Sequence, residues 1–280
     1  MSGRTRRYCR GGRCSGAPDP GMIVRAEPGA IPVALRRSGP QQGVPVLAVH
    51  GFAADSSVWM LVEAALQRDV ALGLIDLPGH GRAASAVPDA LDGFGAHLAG
   101  AVAGQGAPVW LLAHSFGAAV ALRAAALVPG HVAGLILIAP AGLGGAVDPG
   151  FIAALLAARD AAEMRAGLGQ MLSRPAMITH AMAESVLAQM NHPERGPALR
   201  AVAALLPGLD AALAPHLPAL APLPIHVISG AADRIIPPPA ALPACWPDAR
   251  HHVIDGAGHL PQLEAARPTI TTIRTALGLA

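Results

Sequence analysis

Three residue types at three places in the chain could together carry nucleophilic acyl chemistry. Ser115 stands in the run Ala113-His114-Ser115-Phe116-Gly117, between a continuous apolar stretch at 109–113 and a helix-patterned stretch at 116–128. A serine on so sharp a strand-to-helix turn needs small neighbours, because its backbone is strained and closely packed. The helix that follows aims free N–H groups at any negative charge developing there. The usual form of the turn has glycine two residues before the serine, where this chain has Ala113. Taken alone, the run also fits an ordinary helix cap.

A serine hydroxyl becomes a good nucleophile only when a histidine takes its proton and an acid orients that histidine. Asp233 follows an apolar stretch at 225–229, and His259 follows another at 250–254. The order Ser, Asp, His, with each partner on a loop after a late strand, is that of serine nucleophiles on strand–turn–helix elbows. The expected roles are Ser115 as nucleophile, His259 as base and then acid, and Asp233 as the orienting acid. Asp148, shortly after 135–139, is an alternative acid. Singly, Asp233 also suits a turn or cap and His259 a surface loop. Such a site needs an oxyanion hole as well. His50-Gly51-Phe52 closes the stretch 44–50, and the backbone N–H groups of Phe52 and Phe116 are the expected donors, with both rings walling an acyl pocket. His50, Gly51 and His114 are expected beside that pocket, with His114 a packed neighbour of the nucleophile rather than a second base. Asp76 with Pro78-Gly79-His80-Gly81 reads as a turn.

The elements that position these residues alternate. Strands are expected at 31–36, 44–50, 70–76, 109–113, 135–139, 225–229 and 250–254, and helices at 56–67, 89–103, 116–128 and 262–277. Apolar strands that do not alternate with polar residues imply a parallel sheet covered on both faces. The rhythm breaks after Pro140, and about 141–221 is Ala-, Leu- and Met-rich, punctuated by prolines and without a convincing strand. This segment is expected to be a helical insertion between two strands, a lid over the carboxyl edge of the sheet. The fold class is therefore α/β, a mostly parallel, doubly wound sheet, within one domain spanning 22–280.

Composition narrows the chemistry further. All 20 basic residues are arginine, so lysine Schiff bases, a phosphate-loop lysine and lysine-borne lipoate or biotin are excluded for this chain. Arg4, Arg6, Arg7, Arg10 and Arg13 crowd the start, and residues 22–280 hold 15 arginines against 17 carboxylates. The basic balance belongs to residues 1–21, read as a disordered arm, so no nucleic-acid partner is expected. Apolar stretches are interrupted by Pro, Gly or charge, so no membrane span is expected. Three cysteines without pairing logic fit a reducing, cytoplasmic setting. His251-His252, His180, His192 and His216 lack ligand spacing with carboxylates, so neither a metal nor another cofactor is expected.

The phrases Val49-His50-Gly51-Phe52, Asp76-Leu77-Pro78-Gly79-His80-Gly81, His114-Ser115-Phe116-Gly117 and Gly258-His259 resemble the signature turns of the α/β-hydrolase superfamily over about 22–280. That resemblance implies its sheet, with the lid inserted after the sixth strand, and the triad named above. His50-Gly51-Phe52-Ala53-Ala54-Asp55, Leu137-Ile138-Ala139-Pro140-Ala141-Gly142-Leu143-Gly144 and Asp233-Arg234-Ile235-Ile236-Pro237 are further similar to the acyltransferase components of bacterial acetoin dehydrogenase complexes. Those carry a lipoyl domain ahead of the hydrolase-like one, where this chain has a short arm and no lysine. The expected activity is a serine hydrolase acting on a small to medium aliphatic ester or thioester, with a small-molecule acyl substrate. The alternatives are an acyltransferase, a carbon–carbon bond hydrolase, or a binding protein with an idle triad. The chain leaves its oligomeric state open.

Overall fold

A computed structural model of the chain describes residues 23–24, 33–83 and 86–279. The expected arm at 1–21 and the start of the strand expected at 31–36 lie outside these residues. Eight strands form one sheet: β1 (Ile23–Val24), β2 (Val33–Ser38), β3 (Val44–Val49), β4 (Val70–Asp76), β5 (Val109–His114), β6 (Val132–Ile138), β7 (Ile225–Gly230) and β8 (Arg250–Ile254). Their order is β1-β2-β4-β3-β5-β6-β7-β8. β1–β2 and β2–β4 pair antiparallel, and every pair from β4 to β8 is parallel. Pro45 sits inside β3 although it cannot donate to a ladder. Pairing with β5 begins only at Val46, so the missing N–H falls where β3 has one neighbour.

Helices α1 (Met60–Leu66), α2 (Leu91–Ala103) and α3 (Phe116–Leu127) lie between the early strands, and α9 (Pro261–Glu264) and α10 (Ala266–Ala276) follow β8. Both faces of the sheet are covered, and consecutive residues divide between them. Leu111 joins a core with Phe94 and Phe116, while Leu112 joins one with Trp59, Leu66 and Ile273. This is why β5 reads as apolar throughout rather than alternating. The helix expected at 56–67 opens as a 3-10 turn at Ser56–Trp59, capped by Asp55. The helix expected at 262–277 is broken at Ala265, whose φ of −130° leaves the helical region.

Between β6 and β7 lie α4 (Pro149–Ala157), α5 (Ala161–Gly169), α6 (His180–Asn191), α7 (Arg195–Leu205) and α8 (Leu209–Leu213), joined by 3-10 turns. Asp148, Asp160 and Thr179 cap α4, α5 and α6 through their side chains. The run Arg195–Leu220 has the length and mean hydropathy (1.3) of a membrane-crossing helix, and Pro197, Pro207, Pro215 and Pro218 interrupt it. It is four consecutive helical pieces, with Leu199, Val202, Leu206, Leu209, Leu213 and Leu220 buried against the domain core. A packed core helix meets the same length and composition test as a membrane span.

Candidate active site

Ser115 follows the last residue of β5 and precedes α3, with φ 53° and ψ −120°. A non-glycine residue in that region costs on the order of 1–3 kcal/mol and persists only where its surroundings hold it. Here they do: its N–H donates to Ile138 O (3.0 Å), and its carbonyl accepts from Ala118 N (2.9 Å) and Ala141 N (3.2 Å). Ala113 is accommodated in place of the usual glycine because its methyl is fully buried in the core. Gly51 is different, since a Cβ there would meet His114 Nδ1 at 2.8 Å and Ser115 Cβ at 3.0 Å. It lets the β3 exit loop press against the elbow.

His259 Nε2 lies 2.9 Å from Ser115 Oγ, and its Nδ1 lies 2.8 Å from Asp233 Oδ2. The second carboxylate oxygen of Asp233 accepts from Ile235 N (2.8 Å) and Ile236 N (3.0 Å). Three donors thus hold the carboxylate in one orientation. With Nδ1–H donating to Asp233, Nε2 is left to accept the serine proton, which is the tautomer a base needs. The Asp233 and His259 side chains are 0% and 3% exposed. The His259 backbone is held as well, its N–H donating to Met171 O at 2.6 Å. Asp148, the alternative acid, instead accepts from Phe151 N at 2.8 Å and starts α4.

The amides of Phe52 and Phe116 have no backbone acceptor among the described residues, and that of Phe116 is the first of α3. Their side chains part company. Phe52 lines the space beside Ser115, whereas Phe116 is fully buried edge-on against Phe94, with ring centroids 5.2 Å apart. The expectation that both rings wall a pocket is corrected for Phe116, because the first turn of α3 points it into the core. His50 also lies away from the pocket. Its Nε2 accepts from Leu77 N (3.0 Å) and its Nδ1 is paired with Gly51 O (2.8 Å), so it pins two loops to each other. Burial lowers its pKa and keeps it neutral. His114 does line the space beside Ser115, with its Nε2 2.9 Å from His259 O and its buried Nδ1 unpartnered. Burial, with His259 nearby, lowers its pKa to about 3, so it is a neutral neighbour and not a second base. Asp76 builds the expected turn, accepting from Ser56 N (2.7 Å) and Arg82 N (2.9 Å).

Ser115 and His259 border a void of about 20 Å³, room for about one water-sized group. Phe52, His114, Phe151 and Met171 line both this void and an apolar cavity of about 310 Å³. That cavity is walled from the insertion by Leu155, Leu168, Ile178 and Met182. The composition of the segment marks it as apolar without saying which side chains face a cavity. Glu264 was not singled out from the sequence, yet it is buried and ties the His259 loop to the insertion. It accepts from Gly258 N (2.6 Å), Ser173 Oγ (2.8 Å) and Arg174 N (3.0 Å). Its position five residues after His259 was the available signal. No group of three His, Cys, Asp or Glu residues suited to a metal occurs among the described residues.

Residues 46–271 match the family model described as alpha/beta hydrolase family. The chain belongs to the α/β-hydrolase family. Within it, the chain is 33% identical over 243 residues, 81% of its length, to the dihydrolipoyllysine-residue acetyltransferase component of the acetoin cleaving system of Pseudomonas putida. That match spans 62% of the relative's length, so the chain corresponds to less than two thirds of it. Lipase LipV of Mycobacterium tuberculosis is 37% identical over 112 residues, covering 40% of this chain and 42% of that one. Among solved structures of α/β-hydrolases, a thermophilic esterase from Thermogutta terrifontis superposes with a TM-score of 0.69 at 26% identity, over 94% of this chain and 98% of that one. The family match and this superposition agree on the α/β-hydrolase fold.

Proposed function

We propose that the protein is a serine hydrolase that cleaves a small to medium aliphatic carboxylic ester or thioester through an acyl-enzyme. The observation that carries this reading is the continuous hydrogen-bonded chain Ser115–His259–Asp233 on a strained elbow. Ser115 Oγ attacks the acyl carbonyl while His259 Nε2 takes its proton, and Asp233 stabilises the resulting imidazolium. The Phe52 and Phe116 amides receive the oxyanion. His259 then returns the proton to the leaving alcohol or thiol. A water, deprotonated by the same imidazole, releases the acid and regenerates the serine. The apolar cavity beside Phe52 takes the acyl chain, and at about 310 Å³ it lies at the small end of ligand pockets. The helical insertion acts as the lid that walls it. No cofactor enters these steps, and a reducing cytoplasm suits the free thiol of Cys245.

The similarity to an acetyltransferase component favours one second reading, transfer of the acyl group to a thiol on a separate molecule. The experiment is labelling with a fluorophosphonate, peptide mapping, and turnover of a p-nitrophenyl ester chain-length series with and without an added thiol. Stoichiometric labelling at Ser115 is expected, lost in Ser115→Ala together with ester turnover, by on the order of 10⁴-fold. Folded wild-type protein that stays unlabelled would sink the serine mechanism. Faster transfer to thiol than to water would move the assignment to acyltransferase.

A further inference from the structure

The apolar cavity shares wall residues with a second space. Asp55, Ser57, Ser185 and Gln189 border both the cavity and a larger polar cleft of about 650 Å³, between the Asp76–Arg82 turn and the α6–α7 corner. Void, apolar cavity and polar cleft therefore succeed one another outward from Ser115, each sharing wall residues with the next. Met171, Leu260 and Leu263 also line the apolar cavity. There the insertion is bound to the His259 loop through Met171 O and Glu264.

The cleft's charged groups are unequally occupied. Arg36 is bound through both terminal nitrogens to Glu63 (2.6 and 2.7 Å). Asp76 has both oxygens occupied by backbone N–H groups, and only 2% of its side chain is exposed. Asp55 spends one oxygen capping the turn at Ser57. The Arg82 side chain, by contrast, is 54% exposed and approaches Asp76 through Nε, at 3.5 Å. Arg195 has no carboxylate within 4 Å among the described residues. His192 accepts the Glu194 and Arg195 N–H groups through Nδ1, which leaves Nε2–H as a donor. The Arg82 and Arg195 side chains and the His192 ring thus line the cleft without a close ionic partner, while three of the four carboxylate oxygens of Asp55 and Asp76 already accept backbone N–H groups. Such donors suit a ligand that brings anionic oxygens.

We propose that this cleft binds an anionic end of the acyl chain, so that the substrate class is an ester or thioester of an aliphatic acid with a carboxylate or phosphate at its far end. The proposal rests on Ser115 as the acyl acceptor. The carbonyl sits at Ser115, the aliphatic segment crosses the apolar cavity, and the terminal anion meets Arg195 and Arg82.

Binding can be read without turnover. The full-length Ser115→Ala protein is titrated calorimetrically with monomethyl esters of six- to ten-carbon dicarboxylic acids, with the matching methyl esters of simple fatty acids, and with the eight-carbon methyl ester ending in phosphate. At low salt, the best-fitting anionic ester is expected to bind at least about tenfold more tightly than its neutral counterpart, and the ratio to shrink as salt rises. Adding Arg195→Gln or Arg82→Gln should bring that ratio towards one. Tighter binding of the phosphate-ended or of the carboxylate-ended ester identifies which anion the site takes. Equal affinity for neutral and anionic esters at every length overturns the proposal, as does a preference that survives both arginine substitutions. Failure of the serine mechanism shows separately, as absent labelling of the wild-type protein.

Discussion

Glu264 shows how a single buried carboxylate can act on a site it does not touch. It holds the backbone of Gly258, next to His259, and that of Arg174 in the insertion. Glutamine at 264 retains one acceptor oxygen but turns the other into an NH₂ that faces a backbone N–H. A buried donor left without an acceptor costs about 1–3 kcal/mol. Glu264→Gln is therefore expected to lower stability by that amount and to lower kcat about tenfold by loosening the histidine, with KM little changed. Ester kinetics beside urea unfolding check this. A loss confined to stability would make Glu264 a structural residue only. Little of this was visible in the sequence, because Glu264 has no spacing of its own and its role comes from contacts with Ser173 and Arg174, 91 and 90 residues away.

At the scale of elements, the decisive packing is α3 against the end of β3. Gly117 lies in the first turn of α3, where a Cβ would meet His50 O at 2.2 Å and Val49 O at 2.8 Å. Both neighbours are backbone and cannot yield without shifting β3 or the elbow. Gly117→Ala is expected to cost about 3 kcal/mol. Gly100→Ala on the exposed side of α2, where nothing lies within 4 Å, is expected to stabilise by about 0.5–1 kcal/mol. Chemical denaturation of the pair checks the contrast, and equal effects would contradict the packing argument. The elbow itself was legible, since Ser115, Phe116 and Gly117 stand where strand patterning turns into helix patterning. Where strands begin was less so. β6 starts at Val132, three residues before the expected 135, because Trp110 packs over Gly134 and fills what looked like a gap in the strand.

Over the whole molecule, the buried histidines make the fold sensitive to acid. Burial lowers the pKa of His50, and lowers those of His80 and His114 to about 3. Burial also lowers those of the half-buried His226, His251 and His252. Between the ordinary histidine value near 6.5 and these folded values, the unfolded chain binds protons that the folded chain refuses. Stability is therefore lost progressively below about pH 6.5, at about 1.4 kcal/mol per pH unit for each of the fully buried His80 and His114. Unfolding free energies from urea melts between pH 7.5 and 4.5 should fall with a slope of about two protons or more, and a flat profile would refute this account. The sequence by itself determined the parts that local pattern encodes: apolar strands, the elbow, the order of Ser115, Asp233 and His259, and the helical character of the segment between β6 and β7. These depend on residue type and on neighbours a few positions away, which the chain states directly. Only the tertiary structure decided that Phe116 turns into the core while Phe52 faces the cavity, that His50 pins loops, that Glu264 ties the His259 loop to the insertion, and that Arg195 lines the polar cleft. Those outcomes depend on which way side chains point across tens of residues of chain, and that direction is set by packing between elements rather than by any one of them.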